Sequence, residues 1–324
     1  MRVVALAGGV GASKLLWGLA RAMDPSELTI IVNTGDDIRM HGLHISPDLD
    51  IVTYTLAGAV NTDTGWGISG DTFRALEVLG RYGRPVWFNL GDRDLATHIH
   101  RTALLASGAT LTQAADSIRR AWGVSAAILP MSNDPVPTII VTSRGEMHFQ
   151  EYLVQHRAEP EVLDIHFEGI ENARPAPGVL EALDAAEAII FCPSNPLISL
   201  GPILAVAGIR EKLWDLRERV VAVSPLVAGR SLKGPSDRMM AQCGCEATSL
   251  GVANLYSDIV GTLLIDIADA PLQSAIEAVG IKVVVEPSVM RRDEDKDRLA
   301  RVVLALFGPR AVAAPAVGQV MSSE

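Results

Sequence analysis

Short apolar runs rich in β-branched residues alternate along the chain with longer segments in which apolar residues recur at helical spacing. This alternation is typical of a parallel sheet whose faces are covered by helices. The apolar runs predict strands at residues 3–7, 28–32, 86–89, 127–131, 188–191 and 220–224. The helical spacing predicts helices over residues 14–22 and 112–122. The pattern therefore predicts an α/β fold with a parallel sheet flanked by helices.

A segment in the middle of the chain departs from this alternation. Residues 138–142 and 147–154 predict two strands joined by a polar turn, which is the pattern of a β-hairpin. Beyond residue 154 apolar runs no longer alternate with helical segments, and acidic residues and prolines become frequent. We interpret the region around 150–180 as a small α+β insertion within a single domain that spans 1–324.

The composition and charge of the chain restrict the class of ligand that it can bind. The chain has 324 residues, of which 48% are hydrophobic and 20% charged, as expected of a globular enzyme. Its 28 basic and 38 acidic residues give a net charge of −10, which argues against broad nucleic-acid binding. A local cluster of basic side chains can still bind a small anion.

Cysteines and terminal segments indicate the compartment. Cys192, Cys243 and Cys245 cannot all pair with one another, which favours a reducing environment. The apolar start of the chain is broken by glycines after Ala7, and no apolar run is long enough to span a membrane. We therefore expect a cytoplasmic protein without a membrane partner, and we expect the tail at 310–324 to fray.

A glycine-rich segment, Gly8-Gly9-Val10-Gly11-Ala12-Ser13-Lys14, follows the first predicted strand. Glycine lets the backbone approach a phosphate, and a helix N-terminus offers unpaired N–H groups and a positive dipole end. The segment matches neither the dinucleotide fingerprint nor the P-loop. A connecting turn is the alternative, but the position at the carboxyl end of a strand favours ligand binding by Gly9, Gly11 and Lys14.

Aspartates recur in the predicted turns. Asp36 and Asp37 follow the second strand, Asp48 and Asp50 lie at a helix start, and Asp71 follows a glycine. Each of them alone is equally compatible with a helix cap or a turn. Because Mg²⁺ prefers oxygen ligands and substrate phosphates, their recurrence predicts a magnesium site formed by Asp36, Asp37, Asp48 and Asp71.

Basic and imidazole side chains cluster after the third predicted strand. Arg93 and Arg101 could face an anion together, or could pair with the neighbouring aspartates. His98 and His100 are two residues apart, so a helix does not place them on one face as a metal pair, and we interpret both as structural.

Polar loops follow the later strands. Ser194 and Asn195 lie between prolines, in a rigid loop that suits recognition of a base or a sugar. Ser194 is not in the G-x-S-x-G motif of a hydrolase nucleophile. Lys233 precedes a glycine and is a candidate phosphate contact, with an exposed lysine as the alternative.

The ordered series of these motifs, from Gly8 to about Asp266, resembles the 2-phospho-L-lactate transferase family of coenzyme F420 biosynthesis. The motifs are Gly8-Gly9-Val10-Gly11 with Lys14, Asn33-Thr34-Gly35-Asp36-Asp37, Ser46-Pro47-Asp48-Leu49-Asp50, Trp66-Gly67, Asp71-Thr72-Phe73, Gly91-Asp92-Arg93-Asp94, Ala96-Thr97-His98, Pro130-Met131-Ser132, Phe149-Gln150-Glu151-Tyr152, Pro193-Ser194-Asn195-Pro196, Ser224-Pro225 and Lys233-Gly234-Pro235. One departure is Val10, where the family commonly has threonine.

The resemblance implies a Rossmann-like core with a smaller subdomain, a homodimer and a Mg²⁺-dependent transfer. The donor would be guanosine diphosphate linked to phospholactate, phosphoenolpyruvate or phosphoglycerate chemistry, and the acceptor would be Fo, 7,8-didemethyl-8-hydroxy-5-deazariboflavin. GMP would leave, cradled by Gly9, Gly11 and Lys14. The resemblance places the Fo contact at Asp50 and Arg93, and Asp50 is the candidate general base.

Two alternatives differ at particular positions. A related group of nucleotide-sugar-binding regulators of cell-wall growth shares the glycine segment, but there Gly-Gly-Ser typically follows the aspartate pair, whereas Ile38 follows Asp37 here. An NAD-dependent oxidoreductase would need a third glycine where Lys14 stands. The three candidate acids differ by small groups worth only ~1–3 kcal/mol, so the sequence leaves the acid open.

Overall fold

The computed structural model describes residues 1–308, so the expectation for the tail at 310–324 lies outside the described residues. Strands are β1 (Val3–Ala7), β2 (Leu28–Val32), β3 (Ile38–Met40), β4 (Leu43–Ile45), β5 (Ala127–Pro130), β6 (Thr138–Thr142), β7 (Gly145–His148), β8 (Val162–Phe167), β9 (Ala188–Phe191), β10 (Val220–Val223), β11 (Leu226–Val227), β12 (Arg230–Ser231), β13 (Thr262–Ile265) and β14 (Lys282–Val285).

The helices divide between the two faces of the structure and its edges. They are α1 (Gly9–Ala22), α2 (Pro47–Leu56), α3 (Arg74–Arg81), α4 (Asp92–Ala106), α5 (Leu111–Ala121), α6 (Val179–Ala185), α7 (Leu200–Ala205), α8 (Ile209–Asp215), α9 (Ser236–Gln242), α10 (Ser249–Tyr256), α11 (Gln273–Ala278) and α12 (Asp293–Ala305). Single turns of 3₁₀-helix lie at Pro25–Glu27 and Arg217–Arg219, with a longer one at Ile267–Leu272. In the described part of the chain, no helix is long and apolar enough to cross a membrane.

A seven-stranded sheet in the order β14-β13-β10-β9-β1-β2-β5 forms the centre of the fold, and all its neighbouring strands are parallel. The predicted α/β class is therefore confirmed. From β1 the chain first continues to one side, through β2 and β5, and later returns to the other side, through β9. The order thus reverses between β1 and β9, and ligands of such sheets bind outside the carboxyl ends of the strands at this point.

The sheet is buried on both faces, which explains its uninterrupted apolar strands. Val4 and Leu6 of β1 pack into one hydrophobic cluster, whereas Val3, Ala5 and Ala7 pack into the cluster on the opposite face. All five side chains are at most 2% exposed. Burial on alternate sides thus fixes β1 at the centre of the sheet and places the glycine segment directly at the switch point.

The strand predicted at residues 86–89 is wrong. This segment is a loop between α3 and α4, and Val86 is 44% exposed. Trp87 and Phe88 contact each other edge to face, with ring centroids 5.8 Å apart, and pack beside Leu90 in a small cluster formed with the β3–β4 hairpin. The apolar run therefore anchors a loop through its side chains and forms no backbone ladder.

The predicted hairpin exists, but its second strand is shorter than expected. β6 pairs antiparallel with β7, and β8 adds to the other edge of β6 to give a separate three-stranded sheet. The predicted strand at 147–154 is wrong beyond His148, because Glu151–Gln155 forms a π-helix. Phe149 and Tyr152 are both buried in the same cluster, a three-residue spacing that suits a helical turn better than a strand.

Candidate active site

A cavity of about 630 Å³ opens at the carboxyl ends of the central strands. Its walls come from the loops after β1, β9 and β10, the first turns of α2 and α4, and the π-helical segment beside the small antiparallel sheet. The cavity therefore lies at the switch point of the sheet, and the segment that follows β7 forms one of its sides.

The glycine segment forms the first turn of α1, because the helix begins at Gly9 and not at Lys14. Gly9 has a φ of +72°, and its N–H donates to Oδ1 of Asp48 over 2.8 Å. A Cβ on Gly11 would lie 2.3 Å from the carbonyl oxygen of Pro193. Glycine is thus required for close packing of α1 against the loop after β9, and the amide of Gly9 is already bonded within the protein.

Two lysines face the cavity without an acidic partner. Nζ of Lys14 donates to the carbonyl of Met290 over 3.2 Å, and Nζ of Lys233 donates to the carbonyl of Thr64. Burial lowers the pKa of both lysines, and for Lys14 the neighbouring Lys296 and Lys233 lower it further. Within residues 1–308 neither lysine forms an ion pair, so the cavity offers two partly desolvated cations to an anion.

Two buried carboxylates meet at the inner wall. Nδ2 of Asn33 donates to Oδ1 of Asp36 over 3.0 Å and to Oδ2 of Asp48 over 2.9 Å, and Nε2 of Gln150 donates to Asp36 over 3.2 Å. Burial raises the pKa of Asp48 to about 7, and burial together with Asp48 raises that of Asp36 well above its ordinary value. In the described chain neither carboxylate has a cationic side chain within 4 Å, so both are poised to accept a cation.

The other two predicted metal ligands have different surroundings. Oδ2 of Asp37 accepts from Ser46 over 2.7 Å and lies 2.9 Å from Nε2 of His44, while its Oδ1 is buried without a partner. Asp71 is absent from the cavity wall, and its carboxylate accepts from the backbone N–H groups of Arg93 and Asp94 at the start of α4. Asp71 therefore acts as a helix cap.

We expect replacement of Asp71 by alanine to lower the free energy of unfolding by about 0.5–2 kcal/mol, because two N–H groups of α4 would lose their acceptor. Urea unfolding of the variant and the unaltered chain would measure this difference. Asp71→Asn is the matched control, since asparagine caps helices nearly as well. A larger stability loss in Asp71→Asn than in Asp71→Ala would contradict the capping role.

Asp50 is 5% exposed and belongs to a polar cluster between α2 and α4. Its carboxylate contacts the guanidinium of Arg101, which is itself only 1% exposed. Burial raises the pKa of Asp50, although Arg101 and His98 oppose this effect. Arg101 therefore pairs with an aspartate, as one of the two sequence hypotheses had it, but with Asp50 of α2 and not with a neighbour in sequence.

The cluster also contains Tyr54 and Asp94, which the sequence did not indicate as site residues, and His98, which it indicated as structural. His98 lies between Asp50 and Asp94, and the hydroxyl of Tyr54 donates to Asp94 over 2.7 Å. Although burial acts to raise it, the pKa of Asp94 is below its ordinary value because of hydrogen bonds from His98 and Tyr54. The sequence did contain a signal for this cluster. Asp50 and Tyr54, and likewise Asp94 and His98, are four residues apart, which places each pair on one face of a helix.

The sequence profile of the family described as 2-phospho-L-lactate transferase CofD matches residues 3–302. The chain belongs to this transferase family of coenzyme F420 biosynthesis. Its relatives include a phosphoenolpyruvate transferase of Streptomyces griseus, 44% identical over 94% of this chain and 98% of that protein. A 2-phospho-L-lactate transferase of Methanothermobacter thermautotrophicus is 42% identical over 93% and 97%.

Solved structures support the fold alone. A crystal structure of a UPF0052-family protein from Bacillus halodurans has a TM-score of 0.60 and 17% identity, and covers 94% of this chain and 98% of that chain. A second structure of the Bacillus halodurans protein has a TM-score of 0.58. The resemblance to the transferase family and the α/β fold predicted from the sequence are thus both confirmed.

The remaining residues predicted for this transferase site divide between the cavity and its surroundings. Ser194 and Asn195 line the cavity, where Oγ of Ser194 accepts from the N–H of Gly8 over 3.3 Å and Oδ1 of Asn195 accepts from that of Leu197 over 2.9 Å. Arg93 is exposed and off the wall of the cavity, and its guanidinium donates to the carbonyl of Ser69 over 3.0 Å. This structure brings Ser194 and Asn195 to the site but does not bring Arg93 there.

Proposed function

We propose that this transferase moves a phosphorylated three-carbon acid from a guanosine diphosphate donor to the terminal ribityl hydroxyl of Fo. The hydroxyl oxygen forms a bond to the phosphorus that bears the acid, the bond from that phosphorus to GMP breaks, and the hydroxyl proton goes to Asp50. The observation that supports this most is one cavity whose walls carry the buried carboxylate of Asp50 and two lysines that have no acidic partner among residues 1–308.

The donor fits the side of the cavity formed by α1. Lys14, Lys233 and the N-terminus of α1 supply positive charge to a diphosphate, and displacement at phosphorus depends mainly on such positioning and neutralisation. Ser194 and Asn195 lie at the same side, at the end of β9, where side chains contact a nucleoside in folds of this kind. We assign the leaving GMP to this side.

The acceptor fits the side formed by α2 and the π-helical segment. Trp66, Phe88 and Phe149 contribute apolar surface to the cavity, which suits a planar deazaflavin ring. Asp50 lies on the wall at the first turn of α2. A carboxylate there could orient the hydroxyl and accept its proton. The Fo contact at Arg93, whose guanidinium lies off the cavity wall, stays a prediction from the family resemblance.

The paired carboxylates of Asp36 and Asp48 fit a Mg²⁺ ion. They share one amide nitrogen of Asn33, have no cationic partner in the described chain and present hard oxygen donors. Mg²⁺ is typically bound by one or two carboxylates with substrate phosphates completing its shell, so Asp71 is not required. When bound, the ion would neutralise charge on the donor diphosphate. Asp37 would support the pair from the adjacent position.

Without a divalent ion, the contribution of Asp48 to stability should fall as the pH rises from about 4 towards 7. The native carboxyl of Asp48, with a pKa of about 7, keeps a proton that the unfolded chain releases near pH 4, so the unfolded state binds fewer protons in this interval. The slope should be on the order of 1 kcal/mol per pH unit. Urea unfolding with a chelator would measure it, and Asp48→Asn should flatten it. A stability difference between the unaltered chain and Asp48→Asn that stays constant across this interval would contradict the prediction.

We expect a homodimer, on the family resemblance. Light scattering of the full chain at the concentration of the activity assay should give twice the 34.5 kDa mass of one chain. A mass of one chain would refute this prediction and would leave the proposed transfer unaffected, because every group named above belongs to the same chain.

The decisive test of this function is release of GMP that depends on Fo. The full chain is incubated with Mg²⁺ and each of the three donors, with and without Fo, and then with all three donors in competition. GMP and a heavier, more acidic deazaflavin should appear together, and the mass of the product identifies the preferred acid. Saturable binding of a UDP-sugar without turnover of any donor would instead support the alternative function, that of a nucleotide-sugar-binding regulator.

A further inference from the structure

His98 connects two carboxylates that both line the cavity. Its Nδ1 lies 3.5 Å from Oδ2 of Asp50, and its Nε2 lies 3.3 Å from Oδ2 of Asp94. The imidazole is 1% exposed and borders the cavity between the two carboxylates. Nδ1 also lies 3.3 Å from Nη1 of Arg101, so the ring fills the space between the two carboxylates and contacts the guanidinium that faces Asp50.

Side chains of α2 and α4 surround this bridge. Arg101 contacts Asp50 and donates to the carbonyl of His44 over 3.4 Å, while Tyr54 donates to Asp94 over 2.7 Å. The ring of Tyr54 packs edge to face on Trp122 next to α5, with centroids 5.3 Å apart. A buried group with so many fixed partners has little freedom to change rotamer.

A second metal ion at this cluster is disfavoured by the same contacts. Asp50, Asp94 and His98 do offer one ligand atom each, within 4.8 Å of one another. The guanidinium of Arg101, however, is a permanent cation already in contact with Asp50, and it would repel a divalent ion in a buried site. The cluster is therefore better suited to holding a carboxylate in place than to binding a metal.

We propose that His98 is a positioning residue that holds the carboxylate of Asp50 at the acceptor side of the cavity, with Asp94 and Tyr54 holding His98 in turn. This inference rests on the proposed function, since it assigns His98 to the transfer step. Reacting groups must be placed within a few tenths of an ångström, and a displacement of about 1 Å can cost ~10²-fold in rate.

Two substitutions separate the two sides of the ring. In His98→Asn the amide nitrogen can stand where Nδ1 was and still contact Asp50, whereas in His98→Gln it can stand where Nε2 was and contact only Asp94. We expect His98→Gln to lower kcat by ~10²-fold and His98→Asn by less than ~10-fold. The KM for the donor should stay within about a factor of two in both, because its proposed contacts lie on α1.

The matched control is His100, two residues further along α4, whose ring is exposed and lies 3.0 Å from Oγ of Ser117. His100→Asn and His100→Gln should leave kcat and KM unchanged. Thermal unfolding of every variant separates loss of fold from loss of positioning. Should both His98 variants fail to fold, Asp94→Asn, which still accepts from Tyr54, should lower kcat without raising the KM for the donor.

The possible results distinguish a positioning role of His98 from a role as metal ligand and from no role in the transfer. Equal kcat losses in His98→Asn and His98→Gln, or unchanged kcat in both, would overturn the positioning role. Loss of Mn²⁺ affinity in both variants, measured by calorimetry, would overturn it in favour of a metal ligand. If Asp94→Asn is the variant measured, normal kcat overturns it. Absence of turnover in the unaltered chain contradicts the proposed function itself, and the inference then falls with it.

Discussion

Replacing Asp50 with asparagine is expected to lower turnover by about 10²–10⁴-fold while leaving GMP binding intact. The substitution keeps the size of the side chain and removes the only group on the acceptor wall that we assign as proton acceptor. Turnover with Fo and a matched donor, together with GMP affinity by calorimetry, would measure the effect. The proposed GMP contacts at Lys14 and Lys233 are untouched by the change.

Asp50→Asn should also lower the free energy of unfolding, because it removes one charge of the buried pair with Arg101. The sequence did not indicate this pair. Removing one partner of a buried ion pair destabilises by about 3–5 kcal/mol, although the asparagine oxygen can still accept from the guanidinium. Turnover must therefore be normalised to the folded fraction. The matched control is Asp92→Asn, which alters a carboxylate that accepts from Ala75 N–H outside the cavity. Near-normal turnover of Asp50→Asn would make Asp50 structural and direct attention to Asp48.

Removal of divalent metal is expected to lower turnover by at least ~10²-fold, with full recovery on adding Mg²⁺. The donor diphosphate brings several negative charges into a cavity whose inner wall already holds Asp36 and Asp48. Lys14 and Lys233 alone do not balance these charges. Exhaustive dialysis against a chelator, followed by a Mg²⁺ titration of the rate, would measure the dependence.

A pair of variants locates the metal. Asp48→Asn should raise the Mg²⁺ concentration needed for half-maximal rate and weaken Mn²⁺ binding in calorimetry, since one of two carboxylates is lost. Asp71→Asn should change neither, because Asp71 caps α4. Undiminished turnover after exhaustive chelation would remove the metal from the reaction, and equal effects of the two variants would contradict the assignment to Asp36 and Asp48.

The central sheet was predictable from the sequence because it is buried on both faces. Of its strands, β1, β2 and β9 have the predicted bounds, and β5 and β10 end one residue earlier than predicted. In the small antiparallel sheet, β6 also has the predicted bounds. Residues 86–89 form an equally apolar run but fold as a loop. Their aromatic side chains are partly buried in a small hydrophobic cluster, and this burial does not require the backbone to join a sheet. The strands β13 and β14 were not predicted.

The candidate site was predictable where its residues follow the central strands. Gly9, Asp36 and Ser194 come after β1, β2 and β9, and parallel strands bring their carboxyl ends to one edge. Asp71 and Arg93 show the limit of this reasoning. An aspartate that caps a helix and one that faces a ligand have the same sequence pattern, and only the packing of α3 on α4 distinguishes them.

His98 and Arg101 show a second limit. Their spacing places both on one face of α4, but the sequence does not reveal that this face meets Asp50 of α2. Contacts between helices depend on how each packs on the sheet, which is decided by tertiary structure. The interpretation of His98 as a purely structural residue rested on its spacing from His100, and the bridge to two cavity carboxylates replaces it with a testable role.

Following one oxygen atom through the reaction distinguishes the proposed transfer from the other possible cleavages of the donor. The donor is labelled with a heavy isotope of oxygen at the bridge between its two phosphates, and products are analysed by mass spectrometry after incubation with the full chain, Mg²⁺ and Fo. Attack of the ribityl hydroxyl on the acid-bearing phosphorus predicts labelled GMP and an equal amount of an unlabelled deazaflavin phosphodiester. A deazaflavin carrying GMP, release of the free phosphorylated acid, or an unchanged deazaflavin mass would contradict the proposed transfer.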